Sequence, residues 1–222
     1  MLYQLQEVKD NIRNREGKRV FYLGKGDQLT SDARDYLNRE RIQILPAEQA
    51  RPQRYRLLTG GYMEEKPEHM THLNGEFLVP KTHPRIAFRG AMDTLEAEIL
   101  LCQLALPDFR KELGELLELA RNLIRCDVLG EPVKETNLCG LTQEQLRSHS
   151  HRPQDFYGQP HFMPSAEDGE TVLRLNRVRC AAREAELKAV AAMPEREDIL
   201  RAMNRMSSMV YILMLQAKAN KT

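Results

Sequence analysis

After Pro84 the apolar residues recur at steps of three and four, the pattern of helices that each bury one face. Met92, Leu95, Ile99, Cys102 and Leu106 predict a helix over about Ile86 to Leu106, stopped by Pro107. Phe109, Leu113, Leu116, Leu117, Ala120, Leu123 and Ile124 share one face of a second helix. Thr142 and Gln145 have the spacing of a capping box for a short third helix, Gln143 to about His149. A polar loop, Arg152 to Ser165, leads into the longest pattern, Val172 to Val190, where Leu175, Val178, Ala182, Ala185 and Ala189 make a small-residue seam. Pro194 separates it from a last helix carrying Ile199, Met203, Met206, Val210, Leu213 and Ala217. Four long helices and a short one predict a mainly α fold, an antiparallel five-helix bundle over residues 84–222.

Upstream the pattern is mixed. Leu2, Leu5, Val8 and Ile12 predict a short amphipathic helix, and Arg19 to Leu23 and Arg41 to Leu45 read as strands. Between those strands a helix through Ala33, Tyr36 and Leu37 is capped by Thr30 or Ser31. Residues 1–45 therefore predict a small N-terminal α/β appendage. Over 46–83 the periodicity fails, with Pro46, Pro52, Pro67 and Pro80 interrupting it and Gly60-Gly61 marking a turn. That stretch reads as a linker without regular elements, which is usually functional or mobile. The Gly24 to Thr30 loop is either an ordinary turn or a phosphate cradle without a full P-loop. His69, His72 and His83 match no standard metal-site spacing.

Charge narrows the function. With 33 Lys+Arg against 32 Asp+Glu, no bulk pull toward nucleic acid or membrane is expected. The absence of tryptophan and the presence of 10 methionines suit a helix-rich interior. No apolar run reaches membrane-spanning length and no signal-like stretch follows Met1, so a cytoplasmic protein is expected. Cys102, Cys126, Cys139 and Cys180 are scattered and read as small buried apolar residues.

Candidate chemistry lies beside the alanine seam. Arg179, Arg183 and Glu186 stand at i, i+4 and i+7 and point the same way. Two guanidiniums and a carboxylate there form either a solvated charged face or a polyanion site within the bundle.

Three motifs widen this reading. The first is T-H-L-N-G-E-F-L-V-P-K-T-H-P-R-I-A-F-R-G-A-M-D, Thr71 to Asp93. The second is H-F-M-P, His161 to Pro164, followed by R-C-A-A-R-E-A-E, Arg179 to Glu186. The third is N-R-M-S-S, Asn204 to Ser208, and the strings D-V-L-G-E-P and L-T-S-D-A-R accompany them. In this order they resemble the ATP-dependent cobalamin adenosyltransferases, on the side of the ethanolamine-utilisation branch. The similarity covers most of the chain and is weakest at 46–70. The resemblance implies transfer of the 5′-deoxyadenosyl group of ATP to cob(I)alamin, with adenosylcobalamin and triphosphate as products. A non-catalytic bundle, a cobalamin carrier or microcompartment-associated protein, is the competing class.

The resemblance also implies roles. Thr71, His72, Asn74 and Lys81 belong to the ATP loop, with Lys81 and Arg183 on the triphosphate. Glu186 aids Mg²⁺ or its waters, or orients Arg183; Asn204 meets adenosine or phosphate oxygens, or is a satisfied polar residue of the seam. Asp93 and Arg179 match a pair that bridges subunits in relatives. His161 or Phe162 supplies the wall that strips a lower ligand from cobalt, or both merely anchor a loop. ATP, cobalamin and Mg²⁺ are the implied ligands, and a homo-oligomer, trimer or dimer, the implied assembly. A cobalamin reductase and ethanolamine ammonia-lyase are the implied partners, in the cytoplasm or at a bacterial microcompartment. Two departures stand out. Many ethanolamine-type relatives carry a His and three-Cys metal cluster before the ATP loop, whereas residues 46–70 hold no cysteine. The glycine-rich phosphate signature of the propanediol-type relatives is incomplete.

Overall fold

Met1–His83 and Pro84–Thr222 form two compact units. The structure, a computed structural model, describes residues 1–15, 17–50 and 55–219. Pro52 lies outside them.

The N-terminal unit is a mixed sheet with two helices. Its elements are β1 (Leu2–Tyr3), α1 (Leu5–Asp10), β2 (Arg13–Arg15), β3 (Lys18–Leu23), β4 (Gln28–Leu29), α2 (Ser31–Arg39) and β5 (Gln43–Pro46), then β6 (Tyr55–Leu57), β7 (Tyr62–Met63), β8 (Met70–Asn74) and β9 (Phe77–Pro80). The expected first helix is shorter than its apolar pattern. The Glu7 carboxylate accepts from the Gln4 N–H at 2.8 Å and fixes the helix start, while Leu2 is drawn into a parallel pairing with Gln28. At α2 Thr30 takes the cap position, but its hydroxyl donates to the Tyr3 carbonyl at 3.3 Å and does not cap the helix. Val8, Ile12, Phe21, Ala33, Leu37 and Ile42 make this unit's core.

Residues 46–83, expected without elements, carry β6 to β9 and complete a seven-stranded sheet in the order β5-β3-β2-β7-β6-β9-β8. Strands of two to five residues are too short to show an alternating pattern. Their partners are also remote, as where Arg13 pairs with Tyr62. Gly61 is what allows that approach. Its φ is +84°, and a Cβ there would sit 2.4 Å from the Ile12 carbonyl oxygen, the same oxygen that accepts from the Tyr62 N–H at 2.7 Å.

The second unit is helical: α3 (Pro84–Ala105), α4 (Arg110–Leu129), α5 (Gln143–His151), α6 (Pro153–Tyr157), α7 (Gly169–Ala192) and α8 (Glu197–Ala219). The chain is thus mainly α with a smaller sheet-bearing part. α7 packs against both α3 and α8, α4 against α3, and α5 against α8. Leu175, Val178, Ala182, Ala185 and Ala189 are all buried, so the seam is the contact line. Three alanines in that line let the neighbouring backbones approach closely. Thr142 and Gln145 close their capping box, with Gln145 N–H to the Thr142 hydroxyl at 3.2 Å and Thr142 N–H to the Gln145 side-chain Oε1 at 2.9 Å. α4 ends at Gly130, whose φ of 68° is the left-handed cap. The polar loop expected over 152–165 contains one helical turn, α6, begun by Pro153.

One ionic node ties α3 to the end of α4. Asp127, only 2% exposed, accepts from Arg85 Nε and Arg89 Nε, each at 2.8 Å. Two arginines on one buried carboxylate satisfy all its lone pairs, which makes the burial affordable. The cysteines divide. Cys102 and Cys126 are buried as expected, whereas Cys139 is half-buried and Cys180 is exposed on α7. Burial and the nearby Glu115 and Glu112 push the Cys139 thiol up to about 12.

Candidate functional site

α7, α8, the end of α5 and the loop after α6 all contribute side chains to one hollow beside the seam. The result is a polar cleft of about 320 Å³. Arg179 and Arg183 project from α7, and Asn204, Ser207, Ser208 and Tyr211 from α8. Ser150 and His151 come from the end of α5, and His161 and Phe162 from the loop. Helical spacing explains the convergence. Arg179 and Arg183 are one turn apart, and Asn204, Ser208 and Tyr211 follow at i, i+4 and i+7.

The arginines differ in setting. Arg179 is half-buried with its guanidinium 5.5 Å from the Tyr211 ring centroid, a cation–π arrangement. Arg183 is exposed. Among the described residues neither has a carboxylate partner. The nearest acid on that stripe, Glu186, accepts instead from Asn204 Nδ2 at 3.1 Å. Asn204 in turn accepts from Arg205 Nη1 at 2.7 Å, and its backbone carbonyl accepts from the Ser207 hydroxyl at 3.0 Å. Arg205 has its charge disfavoured, first by burial and then by the cations Arg147 and Arg201. The surroundings are therefore electropositive, and the site can bind an anion with several acceptor oxygens.

The opposite wall is aromatic. Tyr211 is buried and nearly parallel to both His161 (5.8 Å between centroids, 12°) and Phe162 (5.9 Å, 25°). His161 Nδ1 is 3.2 Å from the Tyr211 hydroxyl and Nε2 is 3.2 Å from the His151 carbonyl. Phe162 packs on the main core, with Lys218 Nζ 4.4 Å from its ring centroid. Lys218 is ion-paired to Asp168, whose carboxyl is held below the ordinary range by that lysine first and by the Ser165 N–H second.

Of the residues singled out in the sequence, His161, Phe162, Arg179, Arg183 and Asn204 line this one cleft, and Glu186 joins them through Asn204. Asp93 does not line it. It is exposed on α3 with no hydrogen bond or ion pair among the described residues. Thr71, His72, Asn74 and Lys81 belong to the N-terminal unit, on and just after the β8–β9 hairpin. There His72 Nδ1 donates to the Gly75 carbonyl at 3.1 Å and the Lys81 N–H to His69 at 2.8 Å. Tyr211, Ser207 and Ser150 were not foreseen; spacing puts Tyr211 on the same face of α8 as Asn204, but does not show its contact with the loop. Among the described residues no group of three or more His, Cys, Asp and Glu is placed to hold a metal ion. No helix there is long and apolar enough to cross a membrane.

Comparison with known proteins adds an independent line. Residues 61–217 match the profile of a family described as cobalamin adenosyltransferase. The chain is 30% identical over 230 residues to the corrinoid adenosyltransferase EutT of Escherichia coli (strain K12), an alignment covering 90% of this chain and 86% of that protein. It is 32% identical over 162 residues to the corrinoid adenosyltransferase EutT of Salmonella typhimurium (strain LT2), covering 70% of this chain and 61% of that protein. No solved structure gives a significant match.

Proposed function

The chain belongs to the cobalamin adenosyltransferase family, and from that premise we propose that it moves the 5′-deoxyadenosyl group of ATP onto the cobalt of cob(I)alamin, releasing triphosphate. Adenosylation of a corrinoid is the family's activity; the donor, the leaving group and the residue roles are our reading. The observation that carries it is the pair Arg179 and Arg183, two cations one turn apart in a cleft with no carboxylate partner among the described residues. A departing triphosphate is the kind of anion that such a pair stabilises.

The reaction asks little covalent work of the protein. Cobalt attacks the 5′ carbon, the carbon–oxygen bond breaks, and the electron pair leaves with triphosphate. Binding and charge stabilisation are what remain to be supplied. Arg183, exposed at the cleft, contacts phosphate oxygens. Arg179, clamped on Tyr211, presents a fixed guanidinium beside them. Asn204 offers an amide to adenosine or phosphate, and Glu186 holds Asn204 in place or takes a water of Mg²⁺. One carboxylate is not a magnesium site by itself, so the ion arrives with the nucleotide. Thr71, His72, Asn74 and Lys81 form the nucleotide loop in this reading, and His161 and Phe162 the corrinoid wall.

Asp93 supports an assembly. An exposed carboxylate on a packed helix, with no partner among the described residues, suits an ion pair with Arg179 of a second copy, in a trimer or dimer of antiparallel bundles. The product would supply ethanolamine ammonia-lyase, in the cytoplasm or at a microcompartment, with a reductase delivering cob(I)alamin. The test is anaerobic incubation with ATP, Mg²⁺ and chemically reduced cobalamin. Growth of the light-sensitive adenosylcobalamin spectrum is expected. Tight binding of both ligands with no cobalt–carbon bond would return the protein to a carrier role.

A further inference from the structure

His161 stands in the cleft as an imidazole, a strong ligand for cobalt when a ring nitrogen has a free lone pair. A nitrogen bound on one axial face of a corrinoid favours Co(II) and Co(III) over the Co(I) nucleophile. A histidine beside the cobalt site is therefore a liability unless its lone pair is occupied. The hydrogen-bond pattern shows how it is occupied. The His151 carbonyl, 3.2 Å from Nε2, can only accept, so Nε2 carries the ring proton. The lone pair is then on Nδ1, and the Tyr211 hydroxyl at 3.2 Å donates to it. Both nitrogens are taken, one by backbone and one by a phenol.

The phenol itself is fixed. Tyr211 is only 9% exposed, lies nearly parallel to His161 and Phe162, and has the Arg179 guanidinium over its ring. Its hydroxyl is thus held in one place by packing on α8 and cannot swing away without disturbing three neighbours. We propose that Tyr211 is a positioning residue whose hydroxyl occupies the Nδ1 lone pair of His161, so that this imidazole meets the corrinoid as a flat, non-coordinating wall. This rests on the cleft being the corrinoid site, and it adds a residue that the three sequence motifs do not contain. It also separates the two candidates for the wall. Phe162 cannot ligate under any circumstance, whereas His161 is kept from ligating by a neighbour.

The test uses the full chain and cob(II)inamide, a corrinoid with no nitrogen base of its own, so any nitrogen on cobalt comes from protein. Bound to the wild-type protein, it should give an electron paramagnetic resonance spectrum without nitrogen splitting of the cobalt lines. Tyr211→Phe keeps the ring and removes the donor. Its bound cob(II)inamide should show each line split into a triplet by one nitrogen, and adding His161→Phe should abolish the triplet. A triplet in the wild type, or Tyr211→Phe that binds cob(II)inamide without one, would overturn the proposal. A second reading needs no variant: nitrogen-15 NMR of labelled histidine in the wild type should find His161 protonated at Nε2 and bare at Nδ1, and the opposite tautomer would also overturn it. Failure of the wild type to bind cob(II)inamide, with the expected tautomer present, would instead sink the corrinoid assignment of the cleft on which the proposal depends.

Discussion

Replacing Arg183 by alanine isolates the anion site because nothing else depends on that side chain. It is exposed, and among the described residues it makes no hydrogen bond or ion pair. Its loss should therefore leave folding stability within about 0.5 kcal/mol of wild type. The functional cost is set by one charge-assisted contact to phosphate, about 1.5–3 kcal/mol, or roughly 10- to 150-fold in affinity. Solvent reaches Arg183, which screens the ground-state contact, so ATP affinity should fall toward the lower end, about 10- to 20-fold. Negative charge grows on the departing triphosphate, so kcat/KM should fall further, by about 100-fold. Calorimetric titration with ATP and steady-state assay of adenosylcobalamin formation read the two effects separately. Arg177→Ala is the control: that arginine is also exposed on α7 but pairs with Glu98 at 2.9 Å. Unchanged ATP affinity and unchanged kcat/KM in Arg183→Ala would refute the reasoning and leave the stripe as a solvated charged face.

Three further outcomes follow from the same structure. Asp127→Ala removes the buried carboxylate that Arg85 and Arg89 share and should destabilise the helical unit by up to about 3 kcal/mol, because both arginines keep some solvent contact; urea unfolding measures it, and a loss under about 1 kcal/mol would show the node to be inert. Asp198, held well below the ordinary carboxylate range first by Arg196 and also by the Val133 N–H, contributes stability that is full above its unfolded pKa of about 4 and declines as pH falls from there toward its lower folded value; Asp198→Asn should be less stable than wild type at pH 7, with the gap closing in more acid solution, and a pH-independent gap would contradict this. Under the proposed pairing between copies, Asp93→Ala and Arg179→Ala should each reduce activity more than stability, with the double variant less damaged than the sum and a coupling above about 1 kcal/mol; additive losses would show that the two residues do not form a pair.

The helical unit was legible because its signals are local. A seam of five residues repeated over Leu175 to Ala189 needs only helical geometry to become a buried line, and the Thr142–Gln145 box closes within one turn. Of the sheet, β3 and β5 were legible as apolar runs over Arg19 to Leu23 and Arg41 to Leu45, whereas β6 to β9 were not, for the opposite reason. β7 is two residues long and finds its partner at Arg13, so its pairing is fixed by remote contacts and by the absence of a side chain at Gly61. The cleft lies between these cases. Arg179, Arg183 and Asn204 were visible as motif residues, and the structure brings them together. Tyr211 was hidden because its role comes from a hydroxyl meeting a loop histidine 50 positions away, a contact that spacing along α8 cannot reveal. Cys180 was misread because scattered cysteines are usually buried, whereas this one falls on the outer face of α7.

The central claim, direct transfer from the 5′ carbon of ATP to cobalt, is tested most directly by a single turnover with ATP carrying carbon-13 at that position. Under anaerobic conditions with reduced cobalamin and Mg²⁺, carbon-13 NMR should show one equivalent of labelled methylene bound to cobalt. Phosphorus-31 NMR of the same sample should show one equivalent of intact triphosphate. Recovery of ADP with phosphate, or of bound unreacted ATP beside bound corrinoid, would contradict the account.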